Sequence, residues 1–230
     1  MKVLTLIIFQ FFLFLGAYAQ EYSTLVFRVG MGNYSMKSQK LFQQDFLRQS
    51  GIPYRKVHEF PNFPTFGAAA GFRIEPKASI GIWFEFASTG GRLHLKDYSG
   101  HALMDQVLTS FQGGPFAQYR INKSEEWPLY VTAHGSVATV SEKIKSEIQL
   151  GGRPEIEQVK LKATNIGIRP GVMLSHAVEV FNFQFGFGAE FRSNGKLKDN
   201  KGQYFRTSDG KNLTAEWNGW RMTLGVGIEL

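Results

Sequence analysis

A strict alternation of side chains between residues 181 and 191 constrains the fold of this chain more than any other feature. Phenylalanine or alanine occupies nearly every odd position, and the even positions hold small or polar residues: Asn182, Gln184, Gly186, Gly188 and Glu190. A period of two indicates an extended strand whose two faces meet different surroundings. The phenylalanine-rich face needs a large apolar environment, whereas the opposite face suits a crowded, hydrated interior.

The same alternation recurs about eight times along the chain and predicts eight strands. We place them at 23–32, at 65–75, from 78 onward, up to 121, from 127 onward, and at 165–174, 181–191 and 220–230. For the strand that begins at 78, an extension well past Gly90 to a turn near 97–100 is the alternative. The predicted connections alternate between long and short, at 33–64, 75–77, 88–105, 122–126, 141–162, 175–176 and 192–212. Outer-membrane barrels have an even strand number, short periplasmic turns and long outer loops. The sequence therefore predicts an all-β fold, an eight-stranded antiparallel transmembrane up-and-down β-barrel with both termini in the periplasm.

A soluble barrel of the lipocalin type is the alternative architecture, because its strands also alternate. It would place the apolar faces inside and the charges outside. The lumen of an eight-stranded barrel has room only for ordinary side chains. The phenylalanines of 181–191, together with Trp220 and Met222, would overfill that lumen. This crowding favours the membrane barrel.

The chain has 230 residues and a mean hydropathy of −0.18. No window offers the 18 or more apolar residues that a membrane helix needs, which is typical of transmembrane barrels because each strand is only half apolar. The start reads as a secretion signal, with Lys2, an apolar stretch from Val3 to Gly16, and a small-x-small site at 17–19. We predict a cleaved signal peptide at 1–19 and one barrel domain at 20–230.

Charge and cysteine content narrow the possible partners. The net charge is +7 and there is no cysteine. A basic chain suggests acidic surfaces or nucleic acid, and export makes lipopolysaccharide the expected anionic partner rather than nucleic acid. Without cysteine there is no disulfide framework. No residue cluster has the spacing of metal ligands, and no glycine loop could cradle phosphate, so we expect neither metal nor cofactor.

The closing strand, from Trp220 to Leu230, the glycine-rich strands and the signal ending at 17–20 resemble the outer-membrane β-barrel domain proteins of Bacteroidetes. The PorT-like group is the most similar subgroup, and the resemblance covers essentially the whole mature chain. It implies an outer-membrane location and insertion by the barrel-assembly machinery, which reads such a closing strand. The group includes a component linked to a protein secretion apparatus.

Charged residues within the predicted strands fall on the face opposite the large apolar side chains. An arginine facing hydrocarbon near the midplane would cost ~2–4 kcal/mol, so these residues are expected inside the barrel. There the opposite charges should pair, because unpaired buried charge is costly. The predicted interior charge network contains Arg28, Arg73, Glu85, Arg120, Arg169, Glu190, Arg221 and Glu229. A lumen plugged by this network is the first interpretation, and a narrow ion or solute pore is an alternative.

One pair of residues allows a catalytic alternative. His134 and Ser136 lie two apart on a predicted strand, so both side chains share one face, as a base and a nucleophile require. The spacing resembles the lipid A deacylases built on eight-stranded barrels. The residues after Ser136 differ from that family, and parity turns His134 inward. We therefore predict a non-enzymatic protein and keep a lipid A-modifying hydrolase as the alternative.

Three features are predicted outside the barrel wall. Residues 37–50 form a helix in the first long connection, which caps the outer mouth or docks a protein partner. Aromatic residues at strand ends predict contact with the membrane interface: Tyr119, Trp127, Tyr130, Trp217 and Trp220. The basic loop at 192–212 has six Lys or Arg and two Asp, a net charge of +4, and is expected to face lipopolysaccharide through Lys196, Lys198, Lys201, Arg206 and Lys211.

The function predicted from the sequence is that of an integral outer-membrane protein. It acts through its extracellular loops or as a component of an envelope or secretion assembly, in contact with membrane lipid, lipopolysaccharide and an envelope protein.

Overall fold

A closed antiparallel barrel forms most of the structure, a computed structural model that describes residues 23–50, 55–97, 100–150, 154–207 and 209–229. Eight strands form the barrel wall, and β1 closes it by pairing with both β3 and β11. The elements are β1 (Ser23–Tyr34), α1 (Lys37–Ser50), β2 (Arg55–Glu59), β3 (Phe63–Glu75), β4 (Ala78–Asp97), β5 (Gly100–Arg120), β6 (Leu129–Leu150), β7 (Glu155–Val178), β8 (Phe181–Arg192), β9 (Gly195–Lys196), β10 (Thr214–Ala215) and β11 (Gly219–Glu229).

The predicted eight-stranded barrel and the helix at 37–50 are confirmed. The wall consists of β1, β3 to β8, and β11, and β2 pairs with the far end of β4. The two ends of the barrel differ in the connections that they carry. The short-turn end carries the connections at 76–77, 121–128 and 179–180, and the capped end carries α1 and the segment 193–218. The predicted signal peptide at 1–19 and the last residue, Leu230, lie outside the described residues.

An apolar band surrounds the outside of the barrel. The phenylalanines of β8 at positions 181, 183, 185, 187 and 191 are 44–56% exposed, and Ile166 on β7 reaches 67%. Alternate residues of the same strands point inward, as the period of two requires. Other members of the band include Phe27, Val29, Phe66, Phe84, Phe86, Phe111, Val131, Val137, Ile168, Val172, Leu224 and Val226.

The long connections predicted at 88–105 and 141–162 are wrong, because these segments continue the strands. The alternative extension of the strand past Gly90 to the region of 97–100 is confirmed. Pairing between β4 and β5 runs without a break to Asp97 and Gly100, and pairing between β6 and β7 runs to Ile148 and Glu155. Beyond the apolar band the alternation inverts. Inward positions become apolar and outward positions become polar, so a search for outward apolar residues ends these strands too early. The buried inward residues are Leu93, Met104, Leu108, Val140, Ile144 and Leu161.

The predicted turn at 175–176 is also wrong, since β7 continues to Val178 and the turn lies at 179–180. Ser175 points inward, where its hydroxyl donates to Asn182 Oδ1 at 2.6 Å. His176 points outward and stacks on Trp127 with ring centroids 4.1 Å apart. These two consecutive polar residues therefore belong to a strand, where each has a partner on its own face, rather than to a turn.

A second hydrophobic core fills the capped end, above the apolar band. The side chain of Trp217 is fully buried there against Tyr34 and Phe63, with centroids 4.7 and 5.7 Å apart. Its predicted place at a membrane interface is therefore wrong. The loop predicted at 192–212 contributes Leu197 to the same core, and Leu213 just after it also belongs there; both are 0% exposed.

Helix α1 caps this core, as one of the two interpretations of residues 37–50 expected. Phe42 of α1 packs against Phe205 with ring centroids 5.7 Å apart. The backbone amide of Lys37 donates to Glu216 Oε2 at 3.1 Å, which satisfies one free amide of the first helical turn. Within the described residues, no helix has the length and apolar character needed to cross a membrane.

Candidate functional site

A buried ion network crosses the lumen between four strands. Glu85 of β4 and Glu190 of β8 both lie beside Arg169 of β7 and Arg221 of β11. Arg169 Nη1 is 3.1 Å from Glu85 Oε2, and its Nη2 is 3.5 Å from Glu190 Oε2. Arg221 Nε donates to Glu190 Oε2 at 2.7 Å and its Nη1 contacts Glu85. All four side chains are at least nine-tenths buried, so the network crosses a closely packed part of the lumen.

Arg192 is a member of the network that the sequence prediction assigned to the basic loop. It ends β8, and its Nε donates to Glu190 Oε1 at 2.7 Å while Nη1 donates to Ser110 Oγ at 2.9 Å. The guanidinium also lies 5.5 Å from the ring centroid of Trp217. The signal was present in the sequence, because Arg192 continues the even positions that carry Glu190.

Arg28 stands beside the network without a carboxylate partner of its own. Its Nη1 is 3.3 Å from His134 Nε2, and its Nη2 donates to Gln184 Oε1 at 3.2 Å. Arginine can only donate, so His134 Nε2 accepts and the imidazole is neutral. Both hydrogen-bond partners of Arg28 are therefore uncharged.

Three residues predicted for the network lie at the short-turn end instead. Arg120 Nε donates to the carbonyl of Asn122 at 3.1 Å, and Glu229 accepts from Asn182 Nδ2 at 3.4 Å. Arg73, near the end of β3, is exposed, as is Glu229. The three side chains lie on the predicted inward face of their strands. They are close to the short-turn end of the barrel, however, where solvent reaches them.

Aromatic and amide groups fill the lumen around the ion network. Trp83 Nε1 donates to the carbonyl of Gly135 at 3.0 Å, and the guanidinium of Arg169 lies 4.5 Å from the Trp83 ring centroid. Gln112 Nε2 donates to Glu85 Oε1 at 2.8 Å. These contacts leave two small cavities on either side of Arg28, of about 60 and 30 Å³. Neither volume resembles an open channel.

His134 and Ser136 do share the inward face, but no hydrogen bond joins them within the described residues. His134 Nε2 faces Arg28, and His134 Nδ1 is buried without a hydrogen-bond partner. The ring instead packs edge-on against Trp83, with centroids 5.4 Å apart, and stacks on Phe116 at 5.6 Å. A general base needs a free ring nitrogen within hydrogen-bond reach of the nucleophile. This arrangement fits a packed interior histidine.

Glu142 is a buried carboxyl group in the core at the capped end. It lies above the apolar band, because the outward residues at its level are Ser141, Lys143 and Lys160. Gln39 of α1 and Gln106 of β5 donate to its two oxygens at 3.4 and 2.6 Å. Burial raises the pKa of Glu142 to about 7, and the two amide hydrogen bonds oppose that rise. The helix is thus tied to the barrel through a carboxyl group that is protonated in mild acid.

Five lysines form a cluster on the outer surface directly above the band. Lys143 pairs with Lys160 across β6 and β7, and Lys162 pairs with Lys198 of the following loop. Residues paired in this way project from one face, and like charges in direct opposition are destabilising. We call this surface the lysine patch; its members are Lys143, Lys160, Lys162, Lys196 and Lys198, all exposed.

The surroundings of the lysine patch leave its charge largely uncompensated. Lys143 pairs with Val107 on β5, and Lys162 pairs with Ser141 on β6, so neither neighbour is acidic. Lys196 and Lys198 place their Nζ atoms 5.6 and 4.8 Å from the ring centroid of Tyr204. The patch thus combines lysines of the β6–β7 hairpin with two from the loop.

The other loop residues predicted to face lipopolysaccharide are also exposed. Lys211 Nζ pairs with Asp209 at 2.7 Å, and Lys201 and Arg206 are exposed farther along the segment. The three lysines of β6 and β7 were missed, because 141–162 was interpreted as a loop without a defined face. Within the described residues, no group of three or more His, Cys, Asp or Glu could hold a metal ion.

Comparison with known proteins gives structural likenesses only. No protein-family model and no curated protein matches the chain. The neisserial surface protein A structure is 13% identical, covering 91% of this chain and 95% of that one, with a TM-score of 0.36. Ail of Yersinia pestis, solved with the heparin analogue sucrose octasulfate, is 15% identical, covering 92% and 100%, with a TM-score of 0.40. A major outer membrane protein of Thermus thermophilus is 9% identical, covering 90% and 99%, with a TM-score of 0.44.

Replacing Glu190 by Gln tests the ion network. The change leaves Arg169, Arg192 and Arg221 facing a neutral amide, and breaking one partner of a buried ion pair costs ~3–5 kcal/mol. We expect the free energy of unfolding, measured by urea titration in detergent micelles, to fall by about that amount. Glu125→Gln, at an exposed site in the connection 121–128, is the control and should change little. Equal effects of the two variants would contradict a stabilising network.

Glu142 predicts a pH-dependent attachment of α1. Its pKa is raised from 4.5 to about 7, so the protonated form stabilises the folded cap fully below about pH 4.5. That stabilisation is lost as the pH rises through about 7. Between about pH 5 and pH 8 we expect a loss of roughly 2 kcal/mol, measured as amide exchange protection of α1.

Glu142→Gln should remove this pH dependence, because the amide cannot ionise. Glu147→Gln, on the same strand, should retain it, since Glu147 bonds to Lys145 and His101 rather than to the helix. Protection in the parent protein that is unchanged across this pH range would refute the assignment.

Proposed function

We propose that this protein is an integral outer-membrane protein of a Gram-negative cell, in which a closed barrel anchors a folded, lipopolysaccharide-binding outer cap. The exposed apolar band around a charged lumen carries this proposal. On β8 the outward apolar run extends from Phe181 to Phe191, the length with which a tilted strand crosses the hydrocarbon core, about 9–11 residues. A soluble barrel would need the opposite arrangement, with apolar side chains inside and charges outside.

The orientation proposed for the barrel places the short-turn end, with both chain ends, in the periplasm. Short periplasmic turns and larger outer structures are the rule for such barrels. Trp127 and Tyr119 are exposed near the short-turn end, where amphipathic rings suit a membrane interface. The lysine patch then lies just above the hydrocarbon of the outer leaflet, at the depth of the lipid A phosphates. Lipopolysaccharide is therefore the proposed anionic partner.

The cap is proposed to act by binding rather than by catalysis. Its core buries the inward side of α1 and leaves Leu41 58% exposed, beside polar residues that a protein partner could contact. The glycine-rich closing strand supports a place in the PorT-like group of Bacteroidetes, with insertion by the barrel-assembly machinery after signal cleavage. A role as a component of an envelope or secretion assembly is consistent with that group. Within the described residues, no hydrogen bond joins His134 to Ser136, and the ion network crosses the lumen. We therefore favour binding over the enzyme and pore alternatives.

Solubility and conductance test the membrane barrel with a plugged lumen. The protein without residues 1–19 should require detergent or lipid to fold, because the apolar band is otherwise exposed to water. In planar lipid bilayers the folded protein should give no steady conductance, because the ion network fills the lumen. A folded, water-soluble protein would refute the membrane assignment, and discrete nanosiemens steps would refute the plug.

The lysine patch is tested by neutralising Lys160 and Lys162 together with glutamine. A lysine near an anionic membrane surface contributes about 1 kcal/mol, so the double variant should bind lipopolysaccharide micelles ~30-fold more weakly. Lys77→Gln with Lys123→Gln at the short-turn end removes the same charge and should leave binding unchanged. Dephosphorylated lipopolysaccharide should bind the parent and the double variant equally. Equal losses in both double variants would contradict a localised site.

A further inference from the structure

The buried charges of the lumen do not balance. The ion network and the adjacent Arg28 together contain four arginines, at 28, 169, 192 and 221, and two glutamates, at 85 and 190. The formal sum is +4 − 2 = +2. His134 adds no negative charge, because its neutral ring accepts from Arg28. Uncompensated charge in a poorly hydrated interior is costly, so this excess calls for an anion.

The excess falls on Arg28, because the other arginines share the available carboxylates. Glu190 contacts Arg169, Arg192 and Arg221, and Glu85 contacts Arg169 and Arg221. Within the described residues, the hydrogen bonds of Arg28 go to the neutral side chains of His134 and Gln184, and Glu85 acts on Arg28 through its charge without a direct contact. A guanidinium has five N–H donors, so several of those of Arg28 are available to a ligand.

A cavity of about 60 Å³ lies next to Arg28 and faces the short-turn end. Its lining is rich in groups that can donate hydrogen bonds: Arg28, Arg73, Gln118, Tyr130, Asn182 and Gln184. Glu229 is the acidic residue of this lining, and it is exposed and accepts from Asn182. Because one water needs about 10–15 Å³, the volume accommodates one small anion with a residual water.

We propose that this cavity is a binding site for a small inorganic anion, of chloride to phosphate size, with Arg28 as its inner guanidinium. The anion enters from the short-turn end past Arg73 and is held between Arg28 and the neutral donors of the wall. It offsets the positive charge of the lumen without opening a path through the barrel, because the network of Glu85 and Glu190 lies beyond. The site is independent of the lysine patch on the outer surface.

Bromide is the first probe, because its anomalous scattering locates it directly. In crystals of the full barrel grown from detergent and soaked in bromide, we expect an anomalous peak within hydrogen-bond reach of the Arg28 guanidinium. Absence of a peak in the cavity would overturn a site for halide-sized anions. It would leave phosphate as the remaining ligand of the proposed class, and the solution measurement decides that case.

In solution, the thermal unfolding midpoint is compared in sodium phosphate, bromide and gluconate at equal ionic strength. Phosphate or bromide should raise the midpoint of the parent above that in gluconate, which is too large for the cavity. Arg28→Gln keeps a polar side chain at this position. It should weaken the affinity for the anion, read from how the midpoint depends on anion concentration, about ten- to a hundredfold, the range for losing a charge-assisted hydrogen bond. Arg28→Lys keeps the charge and should retain part of the effect.

Arg120→Gln is the matched control. Arg120 also points inward at the short-turn end, but it bonds to Asn122 and is not among the cavity-lining residues. Its variant should respond to anions as the parent does. Equal anion stabilisation in the parent and in Arg28→Gln, or no difference between phosphate, bromide and gluconate in the parent, would overturn the proposal. Neither result would bear on membrane insertion or on lipopolysaccharide binding.

Discussion

The ion network between two glutamates and three arginines is the interaction on which the arrangement of this barrel depends. Glu85 and Glu190 lie on strands far apart in the wall, and Arg169 and Arg221 contact both of them. Such contacts join opposite sides of the lumen. They require the charges to face inward, so the apolar side chains of the same strands must face outward. The exposed band and the closed lumen are thus two consequences of one alternation.

A second constraint appears where the apolar band ends. On β7 the outward residue changes from Ile166 to Lys162 within four positions, while the inward residue changes from Arg169 to Leu161 over eight. In the proposed membrane orientation, hydrocarbon below this level favours apolar groups outside, and water above it favours apolar groups inside. The capped end therefore folds like a small soluble domain on top of a barrel. The lysine patch marks the boundary between the two regimes on the outside.

The sequence places a residue correctly where its direction depends only on whether it is an odd or an even position of the strand. The inward direction of Arg169, Glu190 and Arg221 follows from their spacing relative to the phenylalanines. The height of a residue along the barrel does not follow from parity, so Arg120 and Glu229 were grouped with the network although they bond to Asn122 and Asn182 at the short-turn end. Arg192 was missed for the opposite reason, because the strand was ended one residue too early.

The sequence by itself determined the number of wall strands, the faces of the side chains within the apolar band, the position of the helix and the exclusion of charge from the band. These features depend on local periodicity, which can be seen directly in the amino-acid sequence. Only the tertiary structure decided which charges meet, that Arg28 lacks a carboxylate, that Glu142 binds the helix and that lysines from two separate segments form one surface. Those contacts join residues far apart in sequence, and strand register and stagger around the closed barrel bring them together.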